Sequence, residues 1–189
     1  MRIKAPGQGR IGGLRKAYGF TLVELVVTLA VAAVLIAVAV PSFRHITISN
    51  RLTTSVNEVV NAVQIARMEA IKRNARTQLC SNSSSGNSSD ALGDLCGTSA
   101  GAVVARASTT VVVVRESQLD LSGSLRLNGD LQALRFTAQG IAHATTSALP
   151  YSGQVIDICT PSFDKDNHRV LRMVAGSVLQ TTTDSGECS

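Results

Sequence analysis

A chain of 189 residues, 44% hydrophobic but only 3% aromatic, has room for one ordinary core with appendages and not for two full domains. Five of its 18 basic residues, Arg2, Lys4, Arg10, Arg15 and Lys16, precede Gly19 with no acid among them, and the remaining 13 are matched by 13 acidic residues. The formal charge of +5 therefore belongs to the first segment, and bulk charge gives no argument for nucleic-acid binding.

Residues 20–40 form an apolar run whose 21 residues match the ~20 that a helix needs to cross a bilayer. It carries one carboxylate, Glu24, and no charge at all from residue 25 to residue 40. A carboxylate in hydrocarbon is costly and needs a cationic partner. An ordinary secretory signal cut after residues 37–39 is the alternative, but the charged segment is long for one and Glu24 sits inside its apolar region. Cleavage after Gly19 would free the amino group of Phe20, about one helical turn from Glu24.

The run Lys16-Ala17-Tyr18-Gly19, then Phe20-Thr21-Leu22-Val23-Glu24 and an apolar stretch closed by Pro41, resembles the class III leader and N-terminal helix of type IV pilins and pseudopilins. The resemblance implies that a prepilin peptidase cuts after Gly19 and that Phe20 becomes the N-methylated first residue. Glu24, then fifth in the mature chain, is expected to pair with the terminal amine of a neighbouring subunit during assembly. The leader cations would hold the N-terminus in the cytoplasm. The expected location is the bacterial inner membrane, single-pass, with a periplasmic C-terminal domain, and then a pilus or pseudopilus filament.

Beyond the span, Leu52, Val56, Val59, Val63, Ala66 and Ala70 recur in alternating steps of four and three, which predicts an amphipathic helix with one buried face. Its outer face would carry Arg51, Glu58, Arg67, Lys72 and Arg73. One helix is expected over residues 20–74, about 80 Å long, with a kink at Pro41, which lacks a backbone donor. A Ser/Asn/Gly-rich surface loop follows at 81–101. Strands are expected at 102–105, 109–116, 125–128, 133–137, 154–160, 169–175 and 177–182, separated by glycine-containing turns. The fold class is α+β: a long N-terminal helix, transmembrane in its first half and amphipathic in its second, packed on an antiparallel sheet domain. The boundaries are a leader at 1–19, a transmembrane segment at 20–41, the amphipathic half at 42–76 and a globular domain at 77–189.

Cys80, Cys96, Cys159 and Cys188 match neither redox CxxC pairs nor zinc knuckles. An even count beyond a membrane-targeting segment fits disulfides in an oxidising compartment. Of the three pairings open to four cysteines, the sequence-local one, Cys80 with Cys96 and Cys159 with Cys188, is favoured.

Residues 66–74 leading to Leu79-Cys80, the stretch Phe136-Thr137-Ala138-Gln139-Gly140, and residues 169–176 ending in Gly176 resemble the GspH/FimT branch of minor pilins and pseudopilins. Some FimT-like proteins receive DNA through arginines in a G-R-x-R motif near the C-terminus. The matching stretch here, Gly176-Ser177-Val178-Leu179-Gln180, lacks both arginines. Arg169 and Arg172 lie just upstream, but three apart on a strand they point to opposite faces, and two cations give weak, salt-sensitive binding. DNA uptake is thus the alternative reading, not the favoured one.

His45, His143 and His168 are isolated from one another and from any cysteine at ligand spacing. Asp164, Asp166 and Asn167 read as a turn, short of the ligand count of a calcium loop. There is no G-x-S-x-G elbow. No enzyme, metal or cofactor is expected. The expected partners are the prepilin peptidase, other pilin or pseudopilin subunits and the inner-membrane assembly platform. Whether the filament is a type IV pilus or a type II secretion pseudopilus is open, with the long loop, the second disulfide and the FimT-like strands tilting toward the pilus.

Overall fold

Helix α1 opens on the sequence Thr21-Leu22-Val23-Glu24, whose threonine caps it. In the computed structural model, which describes residues 19–188, α1 runs Leu22–Arg73 and the Glu24 amide donates to Thr21 Oγ1 at 3.2 Å. The charged leader expected at 1–19 lies outside the described residues except for Gly19. At the other end Asn74 takes a left-handed conformation (φ 49°), its amide donates to the Ile71 carbonyl, and the Ala75 amide donates to that of Ala70. This is a Schellman-type stop, which satisfies carbonyls that the last helical turn leaves without partners. The helix expected through Asn74 thus ends one residue earlier, with Asn74 as its cap.

The chain divides into two units, one ending at Pro41 and one beginning at Ser42. In the first, the described apolar residues of α1 are exposed, and α1 is long and apolar enough to cross a membrane by length and composition. The helix is assigned without interruption through position 41.

In the second unit the face predicted from the four-three spacing is buried: Leu52, Val63, Ala66 and Ala70 are fully enclosed, and Val56 and Val59 nearly so. They pack on two antiparallel sheets. The first has five strands, β1 (Thr77–Leu79), β2 (Val103–Ala107), β3 (Thr110–Arg115), β5 (Leu134–Phe136) and β6 (Ala142–Ala144), in the order β3-β2-β1-β5-β6. The second holds β4 (Arg126–Leu127), β7 (Gly153–Cys159), β8 (His168–Val174) and β9 (Val178–Asp184), in the order β4-β7-β8-β9. Leu79, Leu134 and Phe136 from one sheet and Ile156, Ile158, Leu171 and Met173 from the other join the helix face in one apolar cluster. Each large side chain buried there stabilises the fold by roughly 1.5–3 kcal/mol.

Strands β1 and β6 and the short helix α2 (Ala91–Cys96) are additional to the elements expected from the sequence. The sequences Thr-Gln-Leu and Ala-His-Ala are too short and too weakly strand-forming to show a period. Both form because β5 offers an unpaired edge on each side: Gln78 and His143 are each registered on Arg135. Helix α2 sits inside the predicted surface loop, started by the Asp90 carboxylate, which accepts from the Leu92 and Gly93 amides. It covers the outer face of the first sheet, where Leu92, Ala102 and Val104 form a second small core with Cys80 and Cys96.

Several helix residues expected to face solvent tether the domain instead. Arg115 of β3 pairs with Glu58 at 2.6 Å, Arg51 donates to the Ser122 carbonyl, and Arg67 Nη2 donates to the Ser177 carbonyl at 2.7 Å. Long side chains flanking an apolar stripe reach its rim, and loops close over them.

Candidate functional site

Two regions of this chain carry functional signals. The first is the start of α1, where Phe20 is 79% exposed. Thr21, Leu22, Val23 and Glu24 form the Thr-x-x-Glu pattern of a capping box, so the threonine supplies an acceptor to the first turn and places Glu24 within it. The helix dipole favours a carboxylate at this position. Among the described residues Glu24 has no ion-pair partner, and its side chain lies on an exposed apolar segment. The signal for Thr21 in the sequence is its spacing, three residues before a glutamate.

The second region is the turn between β8 and β9. Gly176 sits at φ 65°, and a Cβ there would lie 2.6 Å from the Ala142 carbonyl oxygen. Its amide donates to the Tyr151 carbonyl, while its carbonyl accepts from the Ala142 amide, and the Tyr151 amide donates to the Ala142 carbonyl. Three backbone bonds thus lace the turn to β6 and join the two sheets. Arg67, from α1, closes the seam through the Ser177 carbonyl.

The two candidate DNA-contacting arginines diverge on β8. Arg169 turns toward α1, where its guanidinium donates to Ser49 Oγ, the Asp166 carbonyl and the His168 carbonyl. Arg172 is exposed and lies near Tyr151, whose hydroxyl is pushed above its usual range by burial, with the Arg172 charge opposing. The turn, with neither G-R-x-R arginine present, is occupied with holding the domain together.

A family model described as the type II transport protein GspH matches residues 55–178, and one described as a prokaryotic N-terminal methylation motif matches residues 14–40. The chain belongs to the GspH family. No curated protein and no solved structure gives a significant match. The GspH match runs from the buried half of α1 to the first residue of β9, so it spans the helix-on-sheet core and the Gly176 seam. The chain is thus a minor pilin or pseudopilin of the GspH/FimT type with a class III prepilin motif, and its fold is the pilin-like α+β arrangement. This is a structural family. The methylation motif implies processing by a prepilin peptidase and assembly with other pilin subunits, and on an exposed apolar helix it marks an N-terminal membrane anchor.

In this GspH-type domain the cysteines are joined Cys80 to Cys96 and Cys159 to Cys188, the sequence-local pairing. The second bond draws the C-terminal residues over β8. There Asn167 exchanges hydrogen bonds with the Gly186 backbone, and the ring of His168 packs beneath Gly186. His168 Nδ1 lies 3.0 Å from both oxygens of Asp157, and both residues are buried. The Asp164, Asp166 and Asn167 cluster is a turn in which Asn167 is consumed by the Thr160 and Gly186 carbonyls. The His45 ring lies tilted against Phe163, with centroids 4.2 Å apart. Among the described residues no group of three or more His, Cys, Asp or Glu is placed to hold a metal ion.

Proposed function

We propose that this protein is an assembly-initiating minor subunit of a type IV pilus or a type II secretion pseudopilus. In this reading it is cut after Gly19, N-methylated on Phe20 and held single-pass in the bacterial inner membrane. Its domain, residues 77–189, stands in the periplasm until the assembly platform draws it into the filament. The observation that carries the reading is Glu24, a carboxylate in the first turn of an exposed apolar helix directly after the predicted cut. In hydrocarbon such a group is tolerable only when neutralised, and the free amine of a neighbouring Phe20 supplies the opposite charge in a helix-packed filament. Pro41, without an amide hydrogen, would loosen α1 where the span ends.

The direct test is incorporation of Glu24→Val subunits. Membrane insertion should persist, because the substitution makes the span more apolar, while recovery in sheared filaments should fall at least about ten-fold if one buried charge pair is lost. Recovery equal to wild type would remove the pairing argument. DNA reception is not proposed, since Arg169 is committed to α1 and to backbone carbonyls.

A further inference from the structure

The outer face of the five-stranded sheet, opposite α1, carries a cavity of about 370 Å³ that neither the core nor the membrane segment uses. Its wall includes Arg76, Arg135, Thr137, His143, Thr145 and Ser147, two guanidiniums, an imidazole and three hydroxyls, with no carboxylate. The register explains the grouping. Gln78, Arg135 and His143 are neighbours across β1, β5 and β6, so their side chains share one face, and Arg76, two residues before Gln78, falls on the same side. Arg106 donates its amide to the Arg76 carbonyl and adds a further exposed cation beside the rim.

Part of this wall is fixed in advance. Arg135 Nη2 is held by Asp90 at 2.8 Å, by Gln78 Oε1 and by the Ser88 hydroxyl, which orients the guanidinium plane. Its Nε remains buried with no partner, and so does Nδ1 of His143. Both atoms are enclosed by protein and belong to residues of the cavity wall, so the anion-binding donors of the wall are its accessible guanidinium, imidazole and hydroxyl groups. The Arg76 side chain makes no hydrogen bond or ion pair among the described residues.

We infer that this cavity is a binding site for a phosphate-type oxyanion, held by Arg76, Arg135 and His143 with hydroxyl donors from the 145–147 turn. The donor set favours a tetrahedral phosphate over a carboxylate, since guanidinium and hydroxyl groups together offer more donors than a carboxylate can accept. The volume lies at the lower end of the ~300–1,000 Å³ range of small-molecule pockets. A phosphate monoester fits this description.

The test uses the full chain in a nonionic maltoside detergent, titrated calorimetrically at low ionic strength with inorganic phosphate, glycerol 3-phosphate, acetate and a short DNA duplex. The expected result is saturable binding of inorganic phosphate, with glycerol 3-phosphate binding at least as tightly if the guest is an ester. Arg76→Gln and His143→Gln should each weaken it about ten-fold, the effect of one hydrogen bond to a charged group. Neither side chain holds the fold together, and thermal melts of both variants check this. Absence of saturation, unchanged binding in both variants, or preference for acetate overturns the proposal. Arg76-dependent duplex binding without phosphate binding overturns it too, in favour of nucleic acid. None of these results bears on Glu24, so the assembly reading stands or falls separately.

Discussion

Gly176 shows how one residue can join two sheets. Its φ of 65° suits glycine, and its neighbour Ala142 leaves no room for a Cβ. Gly176→Ala should therefore destabilise the domain by about 1–3 kcal/mol through backbone strain alone, measured as a lowered denaturation midpoint. An unchanged midpoint would mean that the seam relaxes without cost. Asp90 makes a second case. Burial raises its carboxyl, but the Ser88 hydroxyl, the Arg135 charge and the Gly93 amide outweigh burial and hold the pKa below its ordinary 3.8. A depressed folded-state pKa contributes stability that is present above 3.8 and is lost as the pH falls through the lowered value. Asp90→Asn should consequently be less stable than wild type at neutral pH, and the gap should close in acid. A gap independent of pH would assign the loss to the α2 cap and not to the charge.

At the level of elements, the two disulfides do different work. Cys80–Cys96 has a sequence separation of 16 and ties α2 over the first sheet, where both cysteines are part of a small apolar core. Cys159–Cys188 has a separation of 29 and holds the C-terminal residues over the buried Asp157–His168 pair. Loop-closure entropy puts its contribution at about 2–4 kcal/mol. The Cys159→Ser/Cys188→Ser double variant should lose stability of that size, and hydrogen exchange should speed up at residues 185–188 and at β9 before it does at β1. Uniform acceleration across both sheets would mean that the tail supports the whole core. The short strands β1 and β6 teach the complementary lesson. Neither has a sequence period, yet each is fixed because β5 needs partners for its backbone groups.

For the whole molecule, the first check is the mature N-terminus. Mass spectrometry of protein recovered from the membrane of a host with a prepilin peptidase should show loss of residues 1–19 and addition of one methyl group on Phe20. Intact chains, or a cut after residues 37–39, would replace the prepilin reading with that of a secretory signal. The apolar segment of α1 is exposed in the isolated chain, and that is the expected condition of a helix whose partners are lipid or other subunits. The buried half of α1 provides the central wall of the domain, so the same helix serves as an anchor in one unit and as a core element in the other.

Local patterns in the sequence determined the features that depend on neighbouring residues: the prepilin motif, the apolar span, the buried face from Leu52 to Ala70 and the four strands of the second sheet. Helical and strand periodicity follow from backbone geometry and survive in any tertiary context. The disulfide pairing was legible because sequence-local pairing agreed with proximity in space. Only the tertiary structure decided which long side chains turn inward. Arg67, read as a solvated cation, and Arg169, read as a possible phosphate contact, serve as tethers, one on the Ser177 carbonyl and one on the Ser49 hydroxyl, both far away in sequence. The cavity of Arg76, Arg135 and His143 was likewise invisible, since residues so far apart in sequence become neighbours only through strand register, which long-range pairing sets.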